Sequence, residues 1–289
     1  MSHTGRVTFA IAGAAEHAIA PPDFDAAAEV WRDNADAICA RGIATGDDGW
    51  MEVPGVAVFR FDRERRAVTA ITELGVDPDL LRDNYYRAAL PMALQFFGFE
   101  VLHASAVRTA AGVVAFCAIS ETGKSTTVAA LSRRGYPLWA DDAVPFEVDD
   151  SRIGVRAMSV PFRLRLDAGP AEFFRYTDNS FRWPEPGSLE MASAPIAALC
   201  VLQRENHAPH LVEIQRLSAV DAVTSLLPHA YCFSLADPDR KSLMMRRYFD
   251  LAARVPVFRV SLATGLEKLP AALDQIERSI PGFTHPRES

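Results

Sequence analysis

The chain has 289 residues, a net charge of −7, and is 49% apolar and 23% charged, enough to bury a sizeable core as one large domain or two smaller ones. The acidic balance argues against a nucleic-acid-binding surface, and no stretch reads as a bilayer span or a secretion signal. Cys39, Cys117, Cys200 and Cys232 are scattered without metal-type spacing, so core thiols in a reducing cytoplasm are expected.

In chain order, residues 6–12 alternate weakly and read as a first strand. Residues 24–40 are alanine-rich, with Val30, Trp31 and Ile38 near helical spacing, and read as a helix. Residues 42–49 are polar and contain glycine, the composition of a loop. Residues 56–61 and 67–72 read as two strands of a hairpin. Residues 78–97 form the clearest helix of this half, capped by Asp77, with Leu81, Tyr85, Leu90, Leu94 and Phe97 as a core-facing stripe. A small α+β N-terminal module, 1–98, is expected to precede an α/β domain, 99–289.

Residues 99–102 start a strand that leads to His103, a position where a hydrogen-bonded core histidine is the usual occupant. Residues 112–119 are a short apolar run rich in β-branched and aromatic side chains, the pattern of a buried strand. Ser120-Glu121-Thr122-Gly123-Lys124-Ser125-Thr126 follows, and then a helical pattern over 125–134 with Gly135 at the C-cap. Strand, Gly-Lys-Ser loop and helix together are the setting of a phosphate-binding loop. Backbone N–H groups from Ser120 to Ser125 can curl around phosphate oxygens at the positive end of the helix. Lys124 can reach the β- and γ-phosphates, and the Ser125 hydroxyl can ligate Mg²⁺. Lys124, Lys241 and Lys268 are the only lysines in the chain. Two residues depart from the pattern: Ala118 and Glu121 stand where such loops carry glycine. If the Glu121 carboxylate faced the triphosphate it would oppose binding; if it faced solvent it would be nearly silent.

Residues 136–140 read as the next strand, ending on Asp141-Asp142. Carboxylates at the carboxyl end of a strand, beside a phosphate loop, can hold Mg²⁺ and accept a proton from an attacking hydroxyl. We assign Asp142 as the base and Asp141 as the metal ligand or the partner of His103. Residues 144–148 and 153–157 read as a hairpin. Residues 160–166 read as a strand with Arg163 and Arg165 on one side, either a clamp for phosphate or an acidic peptide or a solvated strand face. Residues 173–186 suggest an irregular loop that could serve as a lid. Strands are expected at 196–202, 211–217 and 257–262, and helices at 219–227, 239–254 and 266–280.

Leu102-His103-Ala104-Ser105-Ala106-Val107, the Gly-Lys-Ser-Thr loop, and Arg134-Gly135-Tyr136 through Ala140-Asp141-Asp142-Ala143-Val144 resemble the catalytic domain of HPr kinase/phosphorylase in order and spacing. They resemble still more the shorter HPr-kinase-like proteins, some of them peptide kinases associated with lasso-peptide gene clusters. The resemblance implies a P-loop core of the HPr kinase/PEP carboxykinase-like type. It also implies transfer of a phosphoryl group from ATP or GTP, with Mg²⁺, to a serine hydroxyl of a peptide or small protein. On it, Lys124 and Ser125 take the triphosphate and metal roles, His103 that of the active-site histidine, and Asp141-Asp142 that of the paired aspartates. The glycine-rich signature that follows the aspartates in the bifunctional enzymes has no match here, which argues against phosphorylase activity and against HPr as the substrate. A homo-oligomer is also open. The residues alone leave two further readings: a weak or inactive nucleotide-binding scaffold or regulatory protein, and an NTPase or small-molecule kinase.

Overall fold

The computed structural model describes residues 6–13, 19–26, 29–33, 35–72, 75–149, 154–177, 181–205, 210–233 and 237–283. In chain order the strands and helices begin with β1 (Arg6–Gly13), β2 (Glu29–Arg32), β3 (Ile38–Thr45), β4 (Asp48–Val53), β5 (Ala57–Asp62) and β6 (Ala67–Thr72). Helices α1 (Pro78–Asn84) and α2 (Leu90–Phe96) follow, joined by a π-turn at Tyr85–Ala89, and then strands β7 (Glu100–Leu102), β8 (Ala104–Thr109) and β9 (Gly112–Cys117). Next come α3 (Lys124–Arg133), β10 (Leu138–Ala140), β11 (Val144–Asp149), β12 (Gly154–Met158), α4 (Ala168–Phe173), β13 (Gly187–Glu190) and β14 (Ser193–Glu205). The chain continues with β15 (Val212–Arg216), α5 (Ala219–Leu226), α6 (Pro238–Arg254), β16 (Val257–Ala263) and α7 (Leu269–Ser279). Among the described residues no helix is long and apolar enough to cross a membrane.

The chain divides into two compact units. The first comprises Met1–Val101, Arg182–Ala192 and Tyr231–Met244; the second comprises Leu102–Phe181, Ser193–Ala230 and Met245–Ser289.

The first unit is built on a sheet in the order β13-β1-β6-β5-β4-β3-β2. Only the β1/β6 pair is parallel; β5 and β6 form the expected hairpin. The helix expected over 78–97 is present, with the Asp77 carboxylate accepting from the Asp79 N–H at its start, but it widens into the π-turn at Tyr85. That turn carries Tyr85 and Tyr86 inward, where Tyr85 stacks on Phe9 at 3.6 Å between ring centroids. Two expectations fail in this unit. Residues 24–40 are not a helix: the segment holds one 3₁₀ turn and strand β2 and runs into β3. Residues 42–49 are mainly strand as well, paired Gly42↔Met51 through Thr45↔Asp48 around a two-residue turn. Gly42 explains its own place in the sheet, because a Cβ there would lie 2.6 Å from the Trp31 ring. The indole lies close over β3 because that residue has no side chain.

The second unit is a mixed α/β layer structure. Its sheet runs β10-β8-β9-β14-β12-β11, with β16 alongside β14 and β15 outside β16. β9, β14 and β16 are mutually parallel in sequence-remote pairs, whereas β8/β9 and β11/β12 are antiparallel hairpins. β9 is buried along its whole length, as its unbroken apolar run predicts. Helices α3 and α7 supply Val128, Leu131, Leu269, Leu273 and Ile276 to a core shared with Phe116, Cys200, Leu202 and Val260 of the sheet. The strands expected at 196–202 and 211–217 both exist, but they do not pair with each other; β16 lies between them. Residues 160–166 carry no regular structure, so the expected strand presenting Arg163 and Arg165 on one face is absent. Pro161 within the run removes a ladder donor, a local reason for the failure. Part of the turn expected around 149–151 lies outside the described residues. Cys117 and Cys200 are buried thiols, as expected.

Candidate phosphate-transfer site

Strand direction gathers the site. β10 and β9 each run antiparallel to β8, which lies between them. The carboxyl ends of β9 and β10 and the start of β8 therefore lie at one edge of the sheet. β14, parallel to β9, ends there too. Each of these four termini delivers chemistry: the loop 118–123 after β9, Asp141-Asp142 after β10, His103 and Ser105 at the start of β8, and Arg204 near the end of β14. Ligand crevices of α/β sheets form at such edges.

The loop closes as the sequence predicts. Gly123, at φ 102°, stands immediately before α3, which begins at Lys124. Lys124 is buried and its ammonium donates to the Ala118 carbonyl at 3.0 Å, so the side chain bridges the mouth of the loop. Glu121 adopts φ 65° and is exposed; its carboxylate sits in solvent. Ser120 is likewise exposed, while Thr122 and Thr126 are buried. The neighbouring Ile119 is 72% exposed, a large apolar side chain left in water at the rim.

Asp141 is the most heavily bonded group of the site. Its Oδ1 accepts from Ser125 Oγ at 2.8 Å and from Ser105 Oγ at 2.5 Å, and its Oδ2 accepts from the Arg165 N–H at 3.1 Å. Burial, and then the neighbouring Asp142 charge, push the Asp141 carboxyl above its ordinary value, against the pull of those three hydrogen bonds. Asp142 is half-buried at φ 66°, within a tight turn closed by the Ala143 N–H on the Asp141 carbonyl at 2.9 Å. A positive φ is tolerated better by aspartate than by most residues but still costs energy, and such strain clusters at functional sites. The His103 ring nitrogen Nε2 lies 3.7 Å from Asp142 Oδ1. The histidine thus faces Asp142, and Asp141 faces the loop.

Burial depresses the Lys124 ammonium, an effect opposed by the charges of Asp142 and Asp141. His229, which the sequence did not single out, is buried here as well; its carbonyl accepts from the His103 N–H at 2.7 Å. Burial, reinforced by His103 and Lys124, lowers its imidazole to about 4, so it is neutral at pH 7. Arg204 donates from Nε to the Thr122 carbonyl at 2.8 Å. Ser105 was legible in principle only as a member of the 102–107 segment, near the start of β8. Arg204 follows the apolar run of β14 at the strand end where ligand-facing residues gather. His229 has no local signal. Of the expected clamp, Arg165 contributes its backbone N–H to Asp141, and Arg163 lies over the Phe181 ring at 5.6 Å.

No family model matches the chain, and no curated protein sequence matches it. Among solved structures, the HPr(Ser) kinase/phosphatase from Coxiella burnetii is similar at 12% identity and a TM-score of 0.32, over 62% of this chain and 88% of that one.

Proposed function

We propose that the chain is an NTP-dependent phosphotransferase that phosphorylates a serine hydroxyl of a peptide or small protein. The observation that carries the reading is the Ser125–Asp141 hydrogen bond at 2.8 Å. It pairs the first-turn hydroxyl of a phosphate loop with a strand-end carboxylate, the donor set that holds Mg²⁺ in nucleotide sites. The fit to the ion is chemical: both groups are hard oxygen donors, and Mg²⁺ takes one or two protein ligands and completes its shell with phosphates and water. Bound there, Mg²⁺ would supply neutralising charge to the β- and γ-phosphates.

The protein groups divide the work. Lys124 exchanges the Ala118 carbonyl for a phosphate oxygen, its charge no longer held against a neutral acceptor. The N–H groups from Ser120 to Ser125 hold the phosphates at the start of α3. Asp142, less enclosed than Asp141, takes the proton of the attacking serine hydroxyl while the new O–P bond forms and the nucleoside diphosphate leaves. His103 flanks that carboxylate and fixes its direction. Ser105 and the Arg165 N–H hold Asp141 in place.

Calorimetric titration with a non-hydrolysable ATP or GTP analogue, with and without Mg²⁺, tests the first step. Saturable, Mg²⁺-dependent binding that Lys124→Ala removes is expected. Absence of binding by the unaltered protein at millimolar nucleotide overturns the reading and favours the scaffold. Label transfer from γ-labelled nucleotide to peptides carrying serine or alanine at one position then separates a serine kinase from an NTPase.

A further inference from the structure

Arg204 sits at the carboxyl end of β14, three residues beyond the point where Val201 lies opposite Cys117 of β9. There β9 has already turned into the phosphate loop, so the guanidinium lies beside the loop rather than beside a strand. Nε donates to the Thr122 carbonyl at 2.8 Å, the only hydrogen bond of this side chain among the described residues. A Cβ on Gly123 would fall 2.5 Å from Nη2. Glycine at 123 is favoured by its φ of 102°, and the guanidinium occupies the space beside it.

Among the described residues no carboxylate pairs with this half-buried cation, and burial depresses it. A cation withdrawn from water without a counter-ion is costly to the fold. The direction of its one bond suggests what offsets the cost. In a trans peptide the C=O and N–H point in opposite directions. A donor fixed on the Thr122 carbonyl therefore fixes the Gly123 N–H on the opposite side of that peptide. Charge on the carbonyl also polarises the N–H across the same amide, strengthening it as a donor.

We propose that Arg204 is a positioning residue for the phosphate cradle, locking and polarising the Thr122–Gly123 peptide so that its N–H meets a nucleotide phosphate. The proposal rests on the nucleotide-binding reading above and deepens it. Arg204 acts through the loop backbone and does not touch the ligand. Its cost falls on the unliganded protein, and its benefit arises when an anion arrives.

The test compares the unaltered protein with Arg204→Lys, Arg204→Gln and Arg204→Ala, each checked for folding by its unfolding midpoint. Affinity for inorganic tripolyphosphate and for the ATP analogue is measured with Mg²⁺. Losing the charge-assisted bond is expected to weaken both ligands equally, by about ten- to a hundredfold in Arg204→Ala. Arg204→Lys should retain most of the affinity, Arg204→Gln should fall between, and added guanidinium should restore part of the loss in Arg204→Ala. Because the fixed cation is costly without ligand, the unfolding midpoint of ligand-free Arg204→Ala should not fall. Unchanged affinity in Arg204→Ala beside normal binding by the unaltered protein overturns this role and leaves the nucleotide site standing. A drop in midpoint matching the drop in affinity, without guanidinium rescue, makes Arg204 a structural brace and likewise overturns it. If the unaltered protein binds neither ligand, both readings fall together.

Discussion

Asp141 is a carboxylate moved out of water and surrounded by neutral donors, and its position has a thermodynamic consequence. Its folded-state pKa lies above the unfolded value because burial and Asp142 outweigh the hydrogen bonds from Ser105, Arg165 and Ser125. The native state therefore holds this proton more tightly than the unfolded chain. The resulting stabilisation is complete below the unfolded pKa, is lost as pH rises through the folded one, and is absent above it. Asp141→Asn is thus expected to raise the unfolding midpoint at neutral pH and to flatten its decline between acid and neutral solution, while abolishing Mg²⁺-dependent nucleotide binding. Thermal melts across the pH range, paired with the titration, check both halves. A lower midpoint at neutral pH would mean that the three hydrogen bonds dominate. Glu121 gives a second expectation at this scale. It pays the left-handed φ that glycine would adopt freely, roughly 1–2 kcal/mol, against about 0.5–1 kcal/mol of extra chain entropy for glycine. With its carboxylate in solvent, Glu121→Gly should stabilise the protein by about 0.5 kcal/mol and leave nucleotide affinity nearly unchanged, the outcome the sequence left open. A tenfold gain in affinity would mean that the carboxylate reaches the phosphates. The loop and Asp141-Asp142 were legible because each belongs to a local pattern, whereas His103 was singled out only through the family resemblance. Arg204 and His229 were not legible, because their approach to the loop depends on sheet pairing that no local spacing encodes.

Elements were legible where their period was long and unmixed, and misread where composition stood in for period. The buried run of β9 and the capped helix from Pro78 to Phe96 follow from their patterns. Residues 24–40 do not, because alanine frequency suggests a helix while the pairing of β2 with β3 and of β3 with β4 decides the outcome. Residues 160–166 alternate like a strand yet carry no regular structure. One polar side chain ties helix α2 to residues 231 and 233. Gln95 is fully buried, donating to the Tyr231 carbonyl at 2.6 Å and accepting from the Phe233 N–H. Gln95→Leu keeps the volume but leaves a buried carbonyl and a buried N–H without partners, at about 1–3 kcal/mol each. The expected loss is about 2–4 kcal/mol, read as a lower urea midpoint at constant slope. A change under ~0.5 kcal/mol would mean that water replaces the amide.

At the scale of the whole chain, the first unit is assembled from three separate stretches. No composition shift marks the second and third, so the sequence offered no means of finding them. Each supplies something that residues 1–101 lack. β13 pairs with β1 through Arg6↔Glu190 to Phe9↔Gly187, and without it β1 becomes an open edge. Trp183 stacks on Tyr86 at 4.8 Å. Phe233 packs against Phe61 and Phe96 at 5.6 and 5.9 Å, closing an aromatic cluster. Arg240 meets Glu100 with two hydrogen bonds, at 2.7 and 2.9 Å, where the Glu100 side chain is 2% exposed. Removing a buried partner of that kind costs about 3–5 kcal/mol by itself, because a carboxylate is left in the interior without its cation. The sum of these losses exceeds a sizeable share of the 5–15 kcal/mol that holds a typical domain. A fragment ending at residue 101 is therefore expected not to fold, giving no cooperative urea transition and a collapsed amide-proton spectrum. Full-length Arg240→Met, by contrast, should unfold cooperatively at a lower midpoint. If the fragment shows dispersed amide resonances and a sharp transition, the first ninety or so residues carry their own core, and the two later stretches are attachments rather than parts of it.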